Sequence, residues 1–132
     1  PLNFILLLLN RYWKLSMTDI YHNPRCTKSR QTLALLEKNN IQTNIIDYMS
    51  QPPNITALTL LVKQLGMSPR GLLRKNEGIY KELGLNDQDL SDTVLLQAMS
   101  QYPKLIERPI VVHSDKAKLG RPPEAVLELF AL

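Results

Sequence analysis

The chain is poor in the residues that staple small secreted domains or build metal clusters. It has one cysteine, Cys26, and two histidines among 132 residues. A single cysteine excludes any disulfide within the chain and any zinc site built from its own cysteines. Long apolar runs are missing too: the longest, residues 4–9, falls far short of the ~20 residues that cross a bilayer. Acids are absent from residues 1–16, which carry Arg11 and Lys14. The net charge of +4 therefore shrinks, over the rest of the chain, to 14 basic residues against 12 acidic ones. No basic stretch is interleaved with aromatics, so nucleic acid is not an expected partner, and neither is a membrane. What is present, 44% hydrophobic and 21% charged residues, describes an ordinary globular domain large enough for its own core.

Residues 1–16 differ in kind from the rest of the chain. They hold the only tryptophan and three of the eight aromatic residues. Their basic residues come after the apolar run instead of preceding it, and no small-residue cleavage site is present, which argues against a signal peptide. We read 1–16 as an N-terminal extension and 17–132 as the domain. An additional helix is the alternative, and its leucines would need a partner surface.

The domain is organised around Tyr21-His22-Asn23-Pro24-Arg25-Cys26-Thr27-Lys28-Ser29-Arg30. Residues 18–22 read as a short strand that Asn23-Pro24 ends, since proline cannot continue a ladder. From Thr27 the pattern is helical through Leu33, Leu36 and Lys38, closing at Asn39-Asn40. A cysteine at that helix start lies at the positive end of the dipole beside unpaired N–H groups, and both favour thiolate. Arg25, Lys28 and Arg30 push the same way and suit an anionic substrate. A buried structural cysteine is the bland alternative, but these polar flanks are a poor lining for a core.

Residues 43–48 form a second strand, completing a βαβ unit with parallel strands and Cys26 at the carboxyl edge of the first, where open α/β sheets bind ligands. Gln51-Pro52-Pro53-Asn54 is a turn with an N-cap. Ile55, Leu58, Leu61, Val62 and Leu65 mark a helix face stopped by Gly66. Ser68 caps a short helix expected to reach Arg74, and a further helix spans 89–101 with Leu90, Val94, Leu95, Ala98 and Met99 on its buried side. Strand character returns at 108–113, with a turn at Ser114-Asp115 and a short strand near Lys118-Leu119, an antiparallel hairpin. A last helix starts at 120–124, with Val126, Leu127 and Phe130 as its buried residues. The order β-α-β, helical block about 54–106, β-β-α predicts an α/β thioredoxin-like fold with a helical insertion.

Three arginines occupy the ends of elements: Arg74, Arg108 before Pro109, and Arg121 before Pro122. A guanidinium fork matches a tetrahedral oxyanion, so several converging on one thiolate would bind an anion and stabilise charge as sulfur attacks. Taken singly, each could be an ordinary solvated surface residue.

With IYHNPRCTKSR at 20–30, QPP at 51–53, RGLLRKNEGIYKELGL at 70–85, ERPIVV at 107–112 and GRPPE at 120–124, the chain resembles the glutaredoxin-coupled arsenate reductases, the ArsC-like family. The resemblance runs from Met17 to Leu132. It implies a nucleophilic Cys26, with Arg74, Arg108 and Arg121 binding the oxyanion. It also implies a protonated His22 that helps lower the thiol pKa, and Pro109 as the cis-proline of the fold, with Ser29 and Arg30 supporting the site. A plain strand-end role for His22 stays open.

Arsenate reduction by this family needs a second thiol, and Ser29 stands where a Cys-x-x-Cys motif would put one. The resemblance therefore implies glutathione as co-substrate and glutaredoxin as partner; the chemistry calls for no bound metal or organic cofactor, the lone cysteine points to the cytoplasm, and a monomer is expected. Spx-like proteins that bind RNA polymerase share the fold but typically carry Cys-x-x-Cys. The Cys-x5-Arg loop of phosphatase-like reductases is absent, because position 32 is Thr32. Thr27-Lys28 departs from the Gly-Thr of the best-studied form, which makes a paralogue with another substrate the main alternative, beside an Spx-like regulator that binds RNA polymerase.

Overall fold

A strand of Thr18–His22 (β1) lies at the centre of the computed structural model, which describes residues 17–130 and, ahead of them, residue 5. The expected extension at 1–16 therefore falls almost wholly outside the described residues. Pro24 ends β1, and Thr27–Lys38 forms helix α1 with Asn39 at its C-cap, as the sequence predicts. Asn44–Asp47 (β2) pairs parallel to β1. The second half of the sheet is a hairpin, Ile110–His113 (β3) and Lys116–Leu119 (β4), with β3 antiparallel to both β1 and β4. Ser114 and Asp115 turn it with φ of 49° and 65°. The order β2-β1-β3-β4 is the thioredoxin-like arrangement.

Strand periodicity divides the core. Ile20 and Val111, directly paired, face one side and pack with Leu36 of α1 and Val126. Their neighbours Tyr21 and Ile110 face the other side, which the helical block covers. That block comprises α2 (Ile55–Leu65), α3 (Pro69–Leu72), α4 (Gly78–Glu82) and α5 (Asp92–Gln101). Leu58, Leu61, Leu72, Leu95 and Met99 are 0–2% exposed, and each such side chain contributes ~1.5–3 kcal/mol of burial. Caps set the boundaries: Asn54, Ser68 and Ser91 each accept a backbone N–H of their own helix, and Gly66 closes α2 at φ 69°. Among the described residues no helix is long and apolar enough to cross a membrane.

Several expectations need correction. α3 stops at Leu72 and does not reach Arg74, because Leu73 leaves the helix to bridge Ile106. α5 begins three residues late, because the Asp87 carboxylate holds the Asp89 N–H in a turn at 2.9 Å. Val94 is exposed. The last helix is a 3₁₀ helix, Pro123–Leu129, entered through two successive prolines; Val126 is buried but Leu127 and Phe130 are only half-buried. α4, which buries Tyr80, had no clear sequence signal.

Candidate active site

The turn after β1 is built to present the thiol. The Asn23 carbonyl accepts the Cys26 N–H and its side-chain Oδ1 accepts the Arg25 N–H, both at 3.0 Å. Cys26 thereby becomes the N-cap of α1 in an extended conformation, its carbonyl taking the Arg30 N–H at 3.0 Å. Its half-buried sulfur faces the open N–H groups of the first helical turn. Burial alone pushes the Cys26 thiol up. The Ser29 N–H, the Arg108 guanidinium through hydrogen bonding and charge, and the Lys28 N–H outweigh it, so the pKa is lowered.

Two of the three arginines reach this sulfur directly. Arg108 faces it, and Arg121 Nη2 lies 3.9 Å from Sγ. Arg121 is held by its Nε, which donates to the Arg108 carbonyl at 2.8 Å and pairs with Glu107 at 3.1 Å. Gly120 makes that approach possible: it is buried so tightly between Thr32 of α1 and the ring of Pro109 that a β-carbon has no room, while its N–H donates to the Pro109 carbonyl at 2.9 Å. The Arg108-Pro109 bond is cis, as the resemblance implies, and Arg121-Pro122 is cis as well.

Arg74 joins the cluster through a carboxylate. Its Nε pairs with Glu77 at 3.2 Å, and the same Glu77 oxygen lies 4.0 Å from Arg108 Nη1. The backbone makes this meeting: Arg74 N–H donates to the Leu105 carbonyl at 2.8 Å and Glu107 N–H to the Leu72 carbonyl at 2.9 Å. These bonds flank the Leu73–Ile106 bridge and tie the segment carrying Arg74 to the one carrying Arg108.

Ser29 and His22 form a buried pair beneath the turn. His22 Nδ1 and Ser29 Oγ are 2.6 Å apart, and Ser29 Oγ also accepts the Asn23 N–H at 3.0 Å. Burial lowers the His22 pKa; Asp47 opposes this and Arg30 adds to it. Burial thus disfavours the charged ring, against the protonated His22 that the resemblance implies. Its place is to orient Ser29, whose own N–H acts on the thiol. Arg30 folds back onto the turn, donating to the Pro24 carbonyl at 2.9 Å and to Thr27 Oγ1 at 3.2 Å, so it braces the loop.

The sequence reading missed Glu77, Glu107 and Tyr48. The i,i+3 spacing of Arg74 and Glu77 was a visible signal for the first; Tyr48 was read only as the last residue of the second strand. Among the described residues, no cluster of three or more His, Cys, Asp or Glu side chains could hold a metal ion.

Comparison with known proteins bears on this arrangement. Residues 21–129 match the ArsC family. The chain is 53% identical over 111 residues to the uncharacterized protein YfgD of Escherichia coli, covering 83% of this chain and 93% of that one. It is 49% identical to the arsenate reductase of Haemophilus influenzae, covering 83% and 96%. The solved structure of the arsenate reductase from Vibrio cholerae is 50% identical and superimposes with a TM-score of 0.85 over 87% of this chain and 98% of that one. With the family's pattern spanning nearly all of the thiol and arginine cluster's scaffold, the chain belongs to the ArsC family.

Proposed function

We propose that this chain is an arsenate reductase that uses Cys26 as its single nucleophile and external thiols as its reductant. The observation that carries the reading is the geometry of Cys26, the N-cap of α1, with Arg121 Nη2 3.9 Å from its sulfur and Arg108 beside it, a setting that also lowers the thiol pKa. A thiolate in that position attacks arsenic while guanidinium groups hold the oxygens.

In the first step the S–As bond forms and one arsenic hydroxyl takes a proton and leaves as water. In the second, a glutathione sulfur attacks Cys26 Sγ; the S–S bond forms, the S–As bond breaks, and its electron pair stays on arsenic as arsenite. Overall, one arsenic acid and two thiols give one arsenous acid, one disulfide and one water. Ser29 has an oxygen where a second sulfur would resolve the disulfide internally, so an external dithiol or monothiol protein, glutaredoxin in this reading, restores Cys26. A cytoplasmic monomer fits a thiol cycle of this kind.

The test is arsenate-dependent NADPH oxidation coupled through glutathione, glutaredoxin and glutathione reductase. The wild type is expected to turn over and Cys26→Ser to be inactive; turnover retained by the variant, or absent from the wild type, overturns the assignment.

A further inference from the structure

Two buried side-chain polar atoms among the described residues have no hydrogen-bond partner: Tyr48 Oη and Arg108 Nε. Buried donors are almost always paired, so two orphans acting on one site need a reason. Tyr48 is 1% exposed, and its ring packs in the main core with Leu58 and Ile110. A phenylalanine would fill the same space without leaving a hydroxyl unpaired. Packing therefore accounts for the ring and not for its oxygen.

The position of that oxygen follows from the sheet. β2 runs parallel to β1, and its last residue, Asp47, is the register partner of His22. Tyr48 comes directly after it, at the carboxyl edge from which the Cys26 loop also departs. The charges of Arg108, Cys26 and Arg74 all act on its hydroxyl, and the Asn23 side chain, its nearest polar neighbour, lowers its pKa by hydrogen bonding without forming a bond of full geometry. Burial raises the phenol pKa against the pull of Arg108, Asn23 and Arg74, with Cys26 adding to the rise. The hydroxyl keeps its proton at neutral pH and is a donor.

We propose that Tyr48 is a further oxyanion-binding residue, its buried hydroxyl donating a hydrogen bond, alongside Arg108 Nε, to a tetrahedral oxyanion held at Cys26. A neutral donor adds directionality without adding charge to a cluster already carrying three arginines. It also suits the oxygens of the cysteine-bound adduct, which need donors after the thiolate charge has gone into the S–As bond. The proposal rests on reading Cys26 as an oxyanion-binding thiol.

Tyr48→Phe tests it with two separate readouts. One is equilibrium binding of inorganic phosphate, used as an isostere and measured by its protection of Cys26 from iodoacetamide. The other is kcat/KM for arsenate in the coupled assay. The variant is expected to keep or raise its urea midpoint, because only an unpaired oxygen is removed. The pH midpoint of alkylation without anion should stay where it was, phosphate affinity should fall at least fivefold, and kcat/KM should fall at least tenfold. A variant matching the wild type in both phosphate binding and turnover overturns the role of Tyr48 and leaves the reductase intact. Wild-type protein that binds phosphate through Tyr48 but turns over no arsenate overturns the reductase and supports the tyrosine. Failure of the wild type to bind phosphate at all overturns the tyrosine as well.

Discussion

Arg108→Ala strikes the side chain on which most of the site depends. That side chain is 16% exposed, acts on the Cys26 thiolate by hydrogen bonding and charge, lies 4.0 Å from Glu77, and carries one of the two unpaired buried polar atoms. The substitution spares the scaffold, because Arg121 is anchored on the Arg108 backbone carbonyl and Glu77 keeps Arg74 at 3.2 Å. Two effects should therefore separate. The thiol pKa rises, since the Ser29 and Lys28 N–H groups remain but the guanidinium is gone. Turnover falls by about 10²–10³ in kcat, the ~2.7–4 kcal/mol of a lost oxyanion donor. Arg108→Lys restores charge but not the planar fork, so it should recover much of the thiol shift and only part of the turnover. Iodoacetamide alkylation against pH reads the first effect and the coupled assay the second. An alanine variant with kcat within about twofold of wild type and an unmoved alkylation midpoint would refute the reasoning.

Gly120→Ala should lower stability by ~1–3 kcal/mol, the usual cost of overpacking, because a β-carbon there meets Thr32 and the Pro109 ring; a urea midpoint equal to wild type would show that the wedge can yield. The two histidines, His22 and His113, are both pushed down by burial, so below the ordinary value of about 6.5 the unfolded chain binds more protons than the folded one. Stability from these rings is complete above that value and is lost as pH falls from it towards the folded pKa values. Imidazole proton resonances titrating with midpoints below about 6.5 are expected, and a midpoint above it for either ring overturns that sign.

What could be read from the sequence was what local punctuation writes. β1 and α1 emerge where predicted because Pro24 and Asn39 stop them, and α2 because Asn54 and Gly66 bracket it at both ends. Cys26 was legible for the same reason: its role as N-cap is set locally, by Asn23 on one side and Arg30 on the other. The arginines could be picked out but not assembled. Arg74 meets Arg108 only because Leu73 pairs with Ile106 across the helical block, a contact that no periodicity encodes. For His22 the sequence could not weigh burial, which disfavours the charged ring, against Asp47, which favours it. Tyr48 was legible only as the end of a strand, where nothing set its oxygen apart.

The arginine cluster also bears on the charge balance of the proposed reaction at the single thiol. Arg74 and Arg108 share Glu77, and Arg121 has Glu107, so two carboxylates leave the three guanidinium groups with a single uncompensated charge. In the free protein the Cys26 sulfur faces Arg108 and Arg121, and the Arg108 guanidinium joins the Ser29 and Lys28 N–H groups in lowering its pKa. In the proposed first step an arsenate anion binds while Cys26 is still a thiolate, and the two negative charges fall to the one of the adduct as the leaving hydroxyl takes a proton and departs as water. Arg108, which acts on the sulfur and still has a free Nε, can follow that shift without releasing Glu77.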